Sequence, residues 1–161
     1  MHGDTLIRMF GFNAEVIQNQ MEDVSHAESL QPEPGSGHTL NWLLGHIISA
    51  RTFPLRHVGA APVWDLATRA RYRNGSLPVS GDEAKVLPID TLMEKFSQSQ
   101  TRLVERLGAM SDPQLLEPSG YGENTIYDSL IYFHFHEAYH VGQLTLVAAH
   151  IGKTAAYLKL D

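Results

Sequence analysis

From Thr125 to Gly152 the chain runs without a proline, and apolar residues recur in steps of four and three: Ile126, Leu130, Phe133, then Leu144, Val147 and Ile151. That period keeps one side of a helix apolar; a half-buried strand would alternate every second residue instead. About 27 residues at ~1.5 Å each make a rod of roughly 40 Å, which needs partners of similar length to cover its stripe. The rest of the chain supplies them. Thr5–Val24 carries Leu6, Met9, Phe10, Ile17 and Met21, with Asp4 as the expected N-cap. A second helix from Thr39 carries Leu40, Leu43, Leu44, Ile47, Ala50 and Phe53, and Pro54 is expected to kink it or close its regular part. A third starts at Asp90, again read as an N-cap, and presents Leu92, Phe96, Leu103, Val104 and Leu107. Ser111-Asp112-Pro113-Gln114 has capping-box spacing, and Gly152 is placed to end the last helix in a left-handed turn.

Two breaks organise these stretches. Gln31-Pro32-Glu33-Pro34-Gly35-Ser36-Gly37 ends the first. Residues 58–88, interrupted by Gly59, Pro62, Gly75, Pro78, Gly81 and Pro88, leave room for one short helix around Trp64–Tyr72. No stretch sustains period-two alternation. The pattern predicts an all-α protein, a four-helix bundle forming a single domain over 1–161. The long second connection argues against simple up-down-up-down wiring.

The 161 residues suffice for a real core, and a net charge of -6 argues against a nucleic-acid surface, which needs concentrated Lys and Arg. The 12 basic residues are scattered except at Arg69, Arg71 and Arg73. That cluster reads first as a solvated face, or, in a crossover that caps a pocket, as a contact for an acidic thiol cofactor. The chain has no cysteine, so it has neither disulfide nor thiolate of its own. No apolar run approaches the ~18–20 residues of a membrane span, and the N-terminus lacks a signal-peptide pattern. The expectation is a cytoplasmic protein with no membrane partner.

In the last helix the apolar stripe is interrupted by Glu137 and His140, and ionisable groups facing a core are costly unless paired or ligated. His136 and His140 stand four apart, with Cβ atoms about 5–6 Å apart on one helix face, close enough to share a metal ion. His134 lies about 200° from His136 around the helix, and His150 is roughly 15 Å beyond His140. His2, His26 and His38 fall in expected termini or loops. A third ligand must come from another helix. His46, on the face of Leu43, Ala50 and Phe53, is the best placed, with His57 as the fallback. Three imidazoles leave a coordination position open, as reactive ions require. They suit Zn, Ni and Fe alike.

His136-Glu137-Ala138-Tyr139-His140 also matches HExxH, the zinc-protease helix in which Glu is the general base. The context does not follow. Between Ala138 and Leu160 there is no Asp or Glu to serve as third ligand, only the terminal Asp161. Gln143 and Leu146 stand where the extended motif has Gly and His. Glu137 therefore remains a candidate base on metal-bound water, or a residue that stands behind the ligands or faces solvent.

Asn41-Trp42-Leu43-Leu44-Gly45-His46, followed by His136-Glu137-Ala138-Tyr139-His140-Val141-Gly142-Gln143 and Ile151-Gly152-Lys153, resembles the DinB-like family of metalloenzymes over nearly the full chain. The resemblance implies a four-helix bundle with a long crossover between helices 2 and 3. It also implies a divalent metal on His46, His136 and His140, frequent dimerisation, and a close-packing role for Gly142. Characterised relatives include thiol S-transferases and isomerases that use low-molecular-weight thiols. The leading expectation is thus a divalent-metal-dependent enzyme that transfers such a thiol to a small-molecule substrate. The alternatives are a hydrolase in which Glu137 activates metal-bound water, and a metal-binding stress protein without catalysis.

Overall fold

The computed structural model describes residues 2–77, 79 and 86–153. Pro78, Gly81, Asp161 and both ends of the expected 1–161 domain lie outside the described residues. Among these residues eight helices form: α1 (His2–Met21), α2 (His26–Ser29), α3 (Leu40–Ala50), α4 (Thr52–His57), α5 (Leu66–Arg71), α6 (Ile89–Ala109), α7 (Asp112–Leu115) and α8 (Ile126–His150). Among the described residues there is no strand, only an isolated bridge between Pro118 and Thr125. The protein is all-α.

Local chemistry sets most boundaries. Thr125 caps α8 by accepting from the Asp128 N–H, while the Asp128 carboxylate accepts from the Thr125 N–H. At its far end Gly152 turns left-handed (φ +78°), so Lys153 N–H reaches the Ala148 carbonyl. Two expected caps move inside their helices. Asp4 lies in the first turn of α1, which begins at His2, whose N–H donates to Asp112 Oδ1 from α7. Asp90 likewise sits in the first turn of α6, behind Pro88. Both carboxylates still face the positive end of a helix dipole. Pro54 acts upstream of itself. The regular helix stops at Ala50, and the proline occupies the first turn of α4, where a missing N–H costs nothing.

Side-chain contacts fix the wiring. Phe10 meets His134, Asn13 meets Glu137 and Gln20 meets Thr145, so α1 and α8 run parallel. His46 meets His140 while Phe53, further along, meets Phe133, so α3 and α4 run against α8. Asn41 reaches Leu87, Arg51 reaches Ser99, and the Val58 carbonyl accepts from Arg106, so α3 and α4 run parallel to α6. α1 and α3 each pack on both α6 and α8. This is the expected four-helix bundle, wired up-down-down-up.

Parallel neighbours cannot be joined by a tight turn, because the chain leaves the end of one helix and must enter the start of the next. The long crossover from Val58 to Pro88 follows from that. Arg102 donates to the Ala61 and Pro62 carbonyls, and Trp42 Nε1 donates to Ser76 Oγ, fastening the crossover along the bundle. Tyr72 seals it: the ring is fully buried, its hydroxyl donates to Asn41 Oδ1, and the same oxygen accepts the Leu87 N–H. A Cβ on Gly45 would fall inside that ring. Gly45 is therefore a close-packing glycine and Gly142 is not, since among the described residues nothing lies within 4 Å of a Cβ built on Gly142.

Candidate metal centre

His46 is buried midway along α3, and His136 and His140 are one turn apart on α8. The antiparallel packing of α3 on α8 brings the three rings together. The His140 centroid lies 4.5 Å from those of His46 and His136, and His46 and His136 are 5.4 Å apart. One donor nitrogen from each lies within 4.8 Å of the other two. The Nε2 atoms of His136 and His140 face each other at 3.3 Å. Two nitrogens bound at ~2.0–2.1 Å to a tetrahedral ion stand roughly 3.3–3.4 Å apart, so these two already have the spacing of ligands on one cation.

Two rings are aimed from behind. His46 Nδ1 lies 2.9 Å from the Tyr72 carbonyl and His140 Nδ1 lies 2.6 Å from Gln143 Oε1. A carbonyl oxygen can only accept, so each Nδ1 carries the proton and each Nε2 keeps its lone pair for an ion. His136 Nδ1 is buried without a partner, leaving its tautomer free to follow the ion. Burial holds His46 and His136 below the ordinary imidazole range. Burial, with His46 next to it, pushes His140 down to about 4. All three rings are neutral at pH 7, the form that binds a metal. The donor set fits one divalent ion.

The other histidines are elsewhere. His134 faces α1, edge-on to Phe10. His57 packs against Tyr121 and Phe133, and burial lowers its pKa without bringing it to the cluster. His150 lines a separate cavity with Glu33 and His38. His2 is terminal, as expected, and opens α1, whereas His26 proves to be the first residue of α2 rather than a loop residue. His38 is in a loop, where it stacks on Trp42, which stacks on His46. Phe133 is half-buried rather than core, lying parallel to Phe53 at 5.2 Å. Of the tyrosines, Tyr121 and Tyr132 line a cavity, Tyr127 packs on His2, and Tyr139 is exposed.

Glu137 does not join the three histidines. It is buried in the bundle, with Arg51 Nε at 2.7 Å from Oε2 and Arg51 Nη2 at 2.9 Å from Oε1. Asn13 Nδ2 donates to Oε1 as well, and Arg51 Nη1 donates to Ser99 Oγ. The interruption of the apolar stripe is thus explained twice over: Glu137 is paired, and His140 belongs to the imidazole cluster. In this chain the HExxH glutamate is the partner of a buried arginine. Three residues that shape the site were not singled out from sequence: Arg51, Tyr72 and Gln143. Gln143 carried a signal, since it stands three residues after His140 on the same helix face.

A bundle that converges imidazoles from its second and last long helices defines a class of helical metal-site proteins. The family model of the DinB superfamily matches residues 11–144, a span that includes all three histidines, and the chain belongs to that superfamily. No curated protein matches the chain. No helix among the described residues is long and apolar enough to cross a membrane.

Proposed function

We propose that the chain is a divalent-metal-dependent enzyme that transfers a low-molecular-weight thiol to a small electrophile, with His46, His136 and His140 as the metal ligands. The observation that carries this reading is the convergence of three neutral imidazole donors within 4.8 Å, with the lone pairs of two of them aimed by Tyr72 and Gln143. A divalent ion there, whether Zn, Ni or Fe, would lower the pKa of a bound thiol enough to yield thiolate at neutral pH. The chain's own contribution is to hold the rings neutral and oriented. With no cysteine in the sequence, the sulfur must come from a diffusible thiol. We infer a cytoplasmic setting, where such thiols stay reduced.

The hydrolytic alternative asks Glu137 to take a proton from water. Its oxygens already accept three hydrogen bonds, two of them from Arg51, so a proton there would have to displace a buried guanidinium. The non-catalytic alternative calls for a fourth protein ligand; the candidate cluster among the described residues has three. The test is a steady-state assay with zinc-, nickel- or iron-loaded protein, a small thiol and an activated aryl electrophile. Wild type should exceed the uncatalysed rate and His140→Ala should not; equal rates overturn the reading.

Dimerisation is proposed on the outer face of α8. Phe135, Tyr139 and Leu146 are 68%, 59% and 70% exposed there, around the open Gly142. Such side chains offer ~150 Å² each, on the order of half the ~800 Å² that a stable interface takes from each partner.

A further inference from the structure

The crossover brings two cations to the imidazoles. A cavity of about 290 Å³ opens beside the cluster, and its lining includes His46, His136, Phe53, Phe133, Arg69 and Arg73. Ser49 on α3 donates to the Arg69 carbonyl, which pins α5 over the cavity. The Arg69 guanidinium rests on the Phe53 ring at 4.7 Å, so its face is covered and its N–H edge is left to act. Other arginines have local work: Arg51 holds Glu137, and Arg71, Arg102 and Arg106 donate to main-chain carbonyls. Among the described residues no acidic side chain pairs with Arg69 or Arg73. Two guanidiniums that line one cavity without an acidic partner among the described residues, on a chain of net charge -6, make a local positive field that selects anions.

We propose that Arg69 and Arg73 form an oxyanion subsite, so that the small molecule served by the three-histidine centre carries a carboxylate or phosphate at the end away from the ion. This rests on the metal-enzyme reading for its purpose, though not for its chemistry. The parallel rings of Phe53 and Phe133, 5.2 Å apart, supply an apolar wall for the middle of that molecule. The cavity volume, at the low end for ligand sites, limits it to a small one.

The experiment measures binding of three probes of one shape, benzoate, phenyl phosphate and benzamide, by calorimetry on zinc-loaded wild type, on an Arg69→Gln/Arg73→Gln variant and on His140→Ala. Wild type should take at least one anion about tenfold or more tighter than benzamide, and the tighter anion identifies the group recognised. The arginine variant should bring that ratio below about twofold, with helix content and zinc stoichiometry unchanged. A ratio near one in wild type, or one that survives loss of both arginines, overturns the subsite; in the second case the anion sits on the ion itself. A chain that binds no zinc yet keeps the arginine-dependent ratio, in wild type and in His140→Ala alike, would instead sink the metal reading and leave the subsite standing.

Discussion

A carboxylate one residue from a metal-ligand candidate invites a catalytic role, and the Arg51 pair assigns it a different one. Glu137 and Arg51 are each almost fully buried, and removing one partner leaves the other charged without water. Glu137→Gln should therefore lower stability by roughly 3 kcal/mol in urea melts while metal content by elemental analysis stays near one per chain. A variant of wild-type stability with abolished turnover would return Glu137 to the mechanism. The histidines carry a pH signature with a definite sign. Their folded pKa values lie below the unfolded value of ~6.5, so their contribution is complete above it and is lost as pH falls toward about 4, the His140 value. Urea midpoints of the metal-free protein should fall across that window, and His140→Ala should flatten the slope. The spacing of His136 and His140 and the inward face of His46 were legible because helix geometry fixes them. The Tyr72 carbonyl was not, since it depends on where the long crossover between α4 and α6 runs.

At the scale of elements, the seam between α3 and the crossover couples fold to site. Gly45 lets the Tyr72 ring lie against α3, one residue from His46, whose ring the Tyr72 carbonyl orients. Gly45→Val should cost about 1–3 kcal/mol in unfolding free energy, as overpacking does, and should also weaken zinc binding, because the carbonyl moves with the ring. Stability lost with unchanged zinc affinity would uncouple the two. The four long helices could be read from their 3.6-residue period, but their ends could not. The α1 start receives an acceptor from Asp112, about 110 residues away in sequence, and Pro54 ends a helix before it is reached. Gly142 shows the opposite limit: its sequence context suggests a packing glycine, yet no described residue comes within 4 Å of a Cβ built there.

For the whole molecule, that emptiness bears on assembly. An exposed glycine inside a helix destabilises it by about 1 kcal/mol relative to alanine, so Gly142→Ala should stabilise an isolated chain by that amount. If a second copy lays a helix across Phe135, Gly142 and Leu146, the added methyl instead blocks close approach, and the same substitution should weaken the dimer. The two signs separate cleanly in sedimentation and urea melts run side by side. Phe135→Glu with Leu146→Glu should give a monomer at concentrations where wild type is a dimer, because each charge would have to be desolvated at the contact. Zinc stoichiometry should remain unchanged in that variant, since Phe135 is turned about 100° from its neighbour His136 and Leu146 lies roughly 9 Å further along the axis than His140. A wild-type chain that stays monomeric at ~100 μM, far above the dissociation constant of a stable interface, would remove the second copy and leave the stripe without an occupant.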